Sequence, residues 1–152
     1  ILKKILMEFL VDESNLNSRK KYNIRFIGDR NFLSKEINTK IDYIEKLRKN
    51  SKKYLIIYLN YSGKNDINQA AKKFKSSRNK NISFTKFLSS SPYPDPEILI
   101  RTGGFNRISD FFIYQLTFTE FFFIKKLWPD LRNTDVSKII RNYYSIERKF
   151  GR

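Results

Sequence analysis

The run of residues 54–61 constrains the fold most, because it is an almost unbroken series of apolar side chains. A strand with one face in water alternates apolar and polar residues, whereas a strand of a helix-covered parallel sheet is apolar on both faces. Segments with apolar residues at helical spacing stand on either side of this run, at residues 32–48 and 66–74. The sequence therefore predicts a parallel sheet flanked by helices.

The same alternation continues along the chain and predicts an α/β fold. Helices are predicted at residues 1–16, 32–48, 66–74, 83–88, 109–119 and 134–148, and strands at 24–27, 54–61, 97–101 and 121–124. No internal repeat or long linker interrupts these elements, so we predict a single domain over residues 1–152. The first predicted helix has no N-cap residue before it, and we expect a domain that is cut at its front.

The composition excludes several kinds of chemistry. The chain has no cysteine and no histidine, which removes thiolate metal sites, disulfides and the commonest general base. A metal would bind oxygen ligands, which makes Mg²⁺ the natural candidate. The net charge of +16 suits nucleic acid, an anionic membrane surface or a phosphorylated substrate. However, the lysines are spread along the chain, as an AT-rich genome would produce, and charge by itself indicates no partner.

A strand that runs into an arginine and two glycines predicts an anion-binding site. The apolar residues 98–100 lead directly into Arg-Thr-Gly-Gly at residues 101–104, and ligands of open α/β sheets bind beyond the carboxyl ends of the strands. The glycines allow a sharp turn and a close approach to a ligand. Arg107 and Ser109 follow, and we expect Ser109 to cap a helix whose N-terminus would attract an anion.

Two arginines at this turn favour a diphosphate over a single carboxylate. The guanidinium groups of Arg101 and Arg107 are permanently charged, planar forks that match phosphate oxygens. Each feature alone is weak, because a Gly-Gly pair after a strand is usually just a turn and a serine before a helix is usually just a cap. Their conjunction at one strand end is more specific, although phosphate binding alone identifies no reaction.

Several short motifs occur in an order and spacing that cover essentially the whole chain. They are Ile27-Gly28-Asp29, Leu59-Asn60-Tyr61-Ser62-Gly63 with Asp66-Ile67, Ile98-Leu99-Ile100-Arg101-Thr102-Gly103-Gly104, Arg107-Ile108-Ser109, Gln115, Thr119-Glu120, Leu127-Trp128-Pro129-Asp130 and Glu147-Arg148-Lys149-Phe150-Gly151. Together they closely resemble the signature of the cis-prenyltransferases, of which the bacterial undecaprenyl diphosphate synthases are the best-known members.

This resemblance implies a fold of the undecaprenyl diphosphate synthase type and a transferase that condenses isopentenyl diphosphate with an allylic diphosphate such as farnesyl diphosphate. Arg101, Arg107 and Ser109 would hold the diphosphate of isopentenyl diphosphate, and Glu120 would lie near Mg²⁺. The product would be an undecaprenyl-type diphosphate, a lipid carrier for cell-wall synthesis. The family further implies a homodimer in the cytoplasm, with peripheral association at the inner face of the membrane as an additional expectation. No nucleic-acid partner is expected.

The chain departs from the family pattern in several places. The block His-x-x-Met-Asp-Gly-Asn-x-Arg-Trp, whose aspartate binds Mg²⁺, is not found, so the catalytic residues are unknown and we expect the 152 residues alone to be inactive. Phe105 stands where bacterial members commonly carry Glu, while Ser62, Lys64 and Asp110 replace Gly, Arg and Asn. We expect Asp110 to lie at the N-terminus of the helix that begins at Ser109. A non-catalytic or decayed subunit that binds diphosphate without turnover stays open as the alternative.

Overall fold

The computed structural model describes residues 2–15, 22–47, 51–79 and 81–148. Within these ranges the helices are α1 (Leu2–Asn15), α2 (Lys35–Leu47), α3 (Gly63–Ser76) and α4 (Asn133–Tyr144). The strands are β1 (Asn23–Gly28), β2 (Tyr54–Leu59), β3 (Ile98–Arg101) and β4 (Glu120–Phe123), and short 3-10 turns occupy Phe84–Phe87, Tyr114–Leu116 and Trp128–Asp130. The chain divides into two compact units, Ile1–Tyr61 and Ser62–Arg152. That residues 1–152 form a single domain stays a prediction.

The first unit is a two-stranded parallel sheet with helices packed on it. β1 and β2 pair from Asn23 opposite Tyr54 to Gly28 opposite Leu59. Its core consists of buried aliphatic side chains from both helices, both strands and the turn before α2: Leu6, Leu10, Ile24, Leu33, Ile37, Ile41, Ile44 and Leu59. Each fully buried side chain of this kind stabilises the fold by about 1.5–3 kcal/mol, so burial of this helical stripe holds the unit together.

Gly28 ends β1 in a conformation and a space that exclude a side chain. Its φ is 117°, where L residues are rarely found, and a Cβ at this position would overlap the carbonyl oxygen of Leu59. Asp29 follows and accepts a hydrogen bond of 2.9 Å from the N–H of Asn31. Glycine is therefore required for the two strands to end side by side.

The second unit contains the parallel pair of β3 and β4, with Ile98 opposite Glu120 and Arg101 opposite Phe123. Its buried apolar side chains come from α3, α4 and the loops: Ala70, Leu88, Leu116, Ile139 and Tyr143. A buried hydrogen bond of 2.8 Å joins the amide of Gln115 to the hydroxyl of Ser90. Parallel strands and flanking helices confirm the predicted α/β class. In the described part of the chain, no helix is both long and apolar enough to cross a membrane.

The helix predicted at residues 109–119 is wrong. Ser109, Asp110 and Phe112 have φ values of 50°, 60° and 48°, which belong to the left-handed region that L residues visit singly and not as helices. Across 109–119, all of which the structure describes, the helical part is the single 3-10 turn Tyr114–Leu116. Ser109 consequently caps no helix. The reason is tertiary, because the side chain of Asp110 binds a distant helix.

Candidate functional site

The loop after β3 turns sharply at Gly103 and Gly104, whose φ values are 87° and 77°. The N–H of Gly103 donates a hydrogen bond of 2.8 Å to the carbonyl of Lys126, and that of Gly104 donates one of 3.0 Å to the carbonyl of Ile124. A Cβ at either glycine would meet no other atom closer than 3.9 Å. Backbone conformation, and not lack of space, therefore requires these glycines, and their N–H groups tie the loop to the segment after β4.

Arg101 and Arg107 lie against the same aromatic ring. The Cζ atom of Arg107 is 4.3 Å from the centroid of the Phe105 ring, and that of Arg101 is 5.9 Å from it. Both distances fall within the roughly 6 Å range of cation–π attraction. The ring is 49% exposed. Phe105 thus holds two permanently charged groups at the carboxyl end of β3, where the sequence predicted an anion.

Asp110 binds the N-terminus of α3. Its carboxylate accepts hydrogen bonds from the Ser62 hydroxyl at 2.6 Å and from the Lys64 N–H at 3.0 Å. Its carbonyl accepts another from the Gly63 N–H at 2.7 Å. The expectation that Asp110 lies at a helix N-terminus was wrong about which helix, since none begins at Ser109. Unpaired N–H groups and the helix dipole favour a carboxylate at this position.

These contacts also keep Asp110 ionised. The Ser62 hydroxyl makes the largest contribution to lowering the pKa of the Asp110 carboxyl below its ordinary value of 3.8, and the Lys64 N–H adds to it. The Ser62 hydroxyl oxygen in turn accepts a hydrogen bond of 3.1 Å from the Asn65 N–H. A continuous set of hydrogen bonds therefore runs from the first turn of α3 to the loop that carries Ser109.

Glu120 begins β4 and is separated from Arg101 along the sheet. Because Glu120 pairs with Ile98, three residues before Arg101, the two lie about 10 Å apart in the strand direction. The Glu120 carboxylate is 3.9 Å from the Nε atom of Arg148. The strand register therefore does not place Glu120 beside the arginines, and its role near a metal stays a prediction.

Arg148 is anchored by several groups around Glu120. Its guanidinium donates hydrogen bonds to the carbonyl of Phe118 at 2.8 Å and to the hydroxyl of Tyr143 at 2.6 Å. It also lies 3.9 Å from the carboxylate of Glu97. The sequence motif that begins at Glu147 continues through residues 149–151, which lie outside the described residues.

One carboxylate at Glu120 fits a partial magnesium site. Mg²⁺ usually keeps several waters and binds through one or two carboxylates together with substrate phosphates. The Glu120 side chain is 33% exposed, so it is not closed off from such an ion. Among the residues that the structure describes, no three acidic side chains group closely enough to hold a metal by themselves. A metal bound at Glu120 would therefore need ligands besides these acidic side chains.

Residues 1–151 match the Prenyltransf family, that of the undecaprenyl diphosphate synthases. The chain belongs to this family. The chain is 35% identical to the isoprenyl transferase of Aquifex aeolicus over 160 residues. This alignment covers 98% of the chain and 68% of the Aquifex protein. The chain is also 35% identical over 140 residues to the Pyrobaculum aerophilum tritrans,polycis-undecaprenyl-diphosphate synthase (geranylgeranyl-diphosphate specific), covering 87% of the chain and 59% of that enzyme. The resemblance that the sequence motifs predicted is confirmed.

Solved structures agree with this family membership. The lavandulyl diphosphate synthase of Lavandula x intermedia, crystallised with dimethylallyl diphosphate, superposes with a TM-score of 0.89 at 31% identity. That alignment covers 99% of this chain and 70% of the lavender enzyme. A Campylobacter jejuni structure described as a probable undecaprenyl diphosphate synthase shares the fold, with a TM-score of 0.83 at 24% identity. The chain spans about three fifths to two thirds of the length of the curated relatives it matches, 59% of one and 68% of another.

Sequence reasoning missed the contact between Ser62 and Asp110. It treated the two residues as separate departures from the family pattern, and it assigned Asp110 to a helix that does not form. The available signal was that both positions carry hydrogen-bonding side chains next to family motifs. Nothing local to either residue shows that they meet, because 48 positions separate them.

Proposed function

We propose that this chain forms the isopentenyl diphosphate-binding part of a cis-prenyltransferase. The complete reaction joins this five-carbon extender to an allylic diphosphate, such as farnesyl diphosphate, and yields a polyprenyl diphosphate. The observation that carries the proposal is the placement of Arg101 and Arg107 on the Phe105 ring, at the carboxyl end of β3. Family membership supports prenyl transfer as the reaction class, and the lavender relative binds an allylic diphosphate.

In this proposal the residues of the loop bind and orient the extender. The guanidinium groups of Arg101 and Arg107 hold the diphosphate oxygens through charge-assisted hydrogen bonds, and the Ser109 hydroxyl donates another. The alkene of the held extender then faces the allylic carbon as the carbon–oxygen bond of the allylic substrate breaks. A carbon–carbon bond forms between extender and allylic carbon, inorganic diphosphate leaves from the allylic carbon, and the extender loses a proton to a diphosphate oxygen, which restores a double bond. Fixing the extender in this way lowers the entropic part of the barrier.

Mg²⁺ is the proposed cofactor, with Glu120 as one carboxylate ligand. When bound, the ion supplies positive charge that neutralises diphosphate oxygens. The strand register separates Glu120 from Arg101, so Glu120 would hold the ion apart from the arginines that bind the extender. The catalytic residues that activate the allylic diphosphate are not among those assigned here.

Product, assembly and location are further parts of the proposal. An undecaprenyl-type product is supported by the family description, which names undecaprenyl diphosphate synthase, and we propose a role for it as a cell-wall lipid carrier. A homodimer is proposed as well: the second unit has exposed large apolar side chains, among them Trp128 at 72%, Leu127 at 61% and Phe118 at 61%, which are available to a second copy of the chain. The net charge of +16 suits a cytoplasmic protein that associates peripherally with anionic lipid at the inner membrane face.

A diphosphate-binding subunit without turnover is the second candidate. The separation of Glu120 from Arg101 along the strand pair favours it, because the arginines can bind an extender without a metal beside them. This candidate predicts binding of isopentenyl diphosphate by the chain with no new carbon–carbon bond.

Two measurements separate these candidates. Calorimetry on the chain tests isopentenyl diphosphate binding. Because the 152 residues alone are expected to be inactive, chain elongation is tested on the full-length protein, incubated with farnesyl diphosphate, labelled isopentenyl diphosphate and Mg²⁺. Arg107→Ala is expected to weaken binding at least about tenfold, as loss of a charged hydrogen-bond donor should, whereas Arg141→Ala on exposed α4 should leave it unchanged. Binding with label in a longer polyprenyl product supports the transferase, and binding without it supports the subunit. Unimpaired binding by Arg107→Ala would refute both.

A further inference from the structure

The loop after β3 is seated directly on the first turn of α3. Gly63, the first residue of α3, has little room for a side chain, because a Cβ there would lie 3.0 Å from the Asp110 carbonyl oxygen and 3.1 Å from the Ile113 side chain, both tighter than ordinary van der Waals contact. Its N–H donates a hydrogen bond of 2.7 Å to the same carbonyl. Backbone thus packs on backbone at this point, and the position of the loop follows that of the helix.

The loop needs such support because its conformation is unfavourable by itself. Ser109, Asp110 and Phe112 all have positive φ, and clusters of L residues in this region persist only where their surroundings hold them. Asp110 provides the connection, since its carboxylate and carbonyl accept three hydrogen bonds from residues 62–64. On its N-terminal side, Ser109 is the adjacent residue and Arg107 lies three positions earlier.

We propose that Asp110 is a positioning residue for diphosphate binding. By binding the N-terminus of α3, it fixes the left-handed backbone of Ser109, Asp110 and Phe112 and so sets where Ser109 and Arg107 reach the ligand. The inference rests on the proposed function of those two residues. Asp110 itself touches no substrate in this proposal.

Helix capping alone does not explain this residue. α3 already has its own cap, because the Ser62 hydroxyl oxygen accepts the Asn65 N–H at 3.1 Å. A carboxylate next to an anion-binding loop would also repel a diphosphate unless donors neutralise part of its charge. The Ser62 hydroxyl and the Lys64 N–H are such donors. Asp110 can therefore stabilise the loop while directing its charge toward the helix.

The test compares Asp110 with Asp66, which offers a matched control on the same helix. The Asp66 carboxylate also accepts one backbone N–H and one serine hydroxyl, both from Ser89, at 3.0 and 2.9 Å. The residues 109–112 are not involved in those contacts. Asp110→Ala, Asp110→Asn and Asp66→Ala are measured by calorimetry with isopentenyl diphosphate and with inorganic diphosphate, each below its melting temperature.

A positioning role predicts a specific order of affinities. Asp110→Ala should weaken binding of both probes about tenfold, the effect of losing charged hydrogen bonds. Asp110→Asn keeps an acceptor oxygen for the Lys64 N–H and should recover most of the affinity. Asp66→Ala should lower the melting temperature while leaving affinity within about twofold of the original, since it removes part-buried hydrogen bonds that contribute to stability and do not involve the loop. Equal affinity of Asp110→Ala and the original chain would overturn the role.

Failure of the proposed function gives a different result. If Arg107→Ala weakens binding and Asp110→Ala does not, the positioning role alone is wrong. If the original chain binds neither probe, or Arg107→Ala binds as well as it does, the diphosphate site is wrong and the positioning role is refuted with it. Should Asp110→Ala fail to fold, Ser62→Ala decides the matter: weaker binding than Asp66→Ala supports the role, and equal binding contradicts it.

Discussion

The hydroxyl of Ser62 donates a hydrogen bond of 2.6 Å to the carboxylate of Asp110, which lies 48 positions further along the chain. Both residues depart from the family pattern, where glycine and asparagine are usual. Individually each departure looks like gradual loss of a motif. In the structure, Ser62 and Asp110 form one contact that joins α3 to the loop that carries Arg107 and Ser109. This contact favours a loop that retains a defined conformation over a decayed one.

The ring of Phe105 should matter for diphosphate affinity because it holds both guanidinium groups. Phe105→Leu keeps an apolar side chain but removes the aromatic face, and we expect it to weaken isopentenyl diphosphate binding about twofold to fivefold, in line with an exposed cation–π pair. Phe105→Tyr should bind like the original chain. Calorimetry measures the isopentenyl diphosphate affinity of both variants. If Phe105→Leu and Phe105→Tyr bind equally well, the ring contributes through packing alone.

Acidification should weaken the connection between Asp110 and α3. The pKa of Asp110 is lowered in the folded state, so its contribution to stability is present above the unfolded-state pKa near 3.8 and is lost as pH falls through the lower folded value. We expect Asp110→Asn to reduce the acid dependence of stability below about pH 4. Denaturant unfolding of the original chain and of Asp110→Asn between pH 7 and pH 2 measures this acid dependence. The same acid dependence in both proteins would contradict this assignment.

The close approach at Gly28 should make the first unit sensitive to a single methyl group. Gly28→Ala combines a φ of 117° with overlap on the Leu59 carbonyl, and we expect it to destabilise the fold by about 2–4 kcal/mol. Gly104→Ala is the control, since its φ is also positive but the nearest atom to a Cβ is 3.9 Å away. Its cost should be about 1 kcal/mol, the conformational part alone. Unfolding in guanidinium chloride measures the free energy of unfolding of both variants. Equal losses of stability would refute the steric explanation.

A metal role for Glu120 predicts that Mg²⁺ and this carboxylate act together. Mg²⁺ should strengthen isopentenyl diphosphate binding by the original chain. Glu120→Gln should remove most of this increase in affinity, but it should leave the affinity measured without Mg²⁺ unchanged. Glu97→Gln is a suitable control, because Glu97 also lies 3.9 Å from the Arg148 guanidinium. If Glu120→Gln keeps the full response to Mg²⁺, Glu120 is not a ligand.

The sequence predicted those parts of the fold and site that depend on neighbouring residues. Apolar runs at 54–61 and 98–100 predicted the strands, because a continuous apolar run can be recognised from its own side chains. The first two residues of β2, Tyr54 and Leu55, are nevertheless exposed. The glycines after Arg101 predicted the turn for the same local reason, and both have positive φ. The motifs as a set predicted the family, which the match over residues 1–151 confirms.

Tertiary structure decided what depends on residues distant in sequence. The apolar spacing at 109–119 favoured a helix, but Asp110 binds the N-terminus of α3 and holds the backbone in the left-handed region. Strand register, not spacing along the chain, separates Glu120 from Arg101. The ring shared by Arg101 and Arg107 likewise requires the folded loop. By itself the sequence predicted which residues bind a diphosphate, while long-range contacts determined which of them stand together.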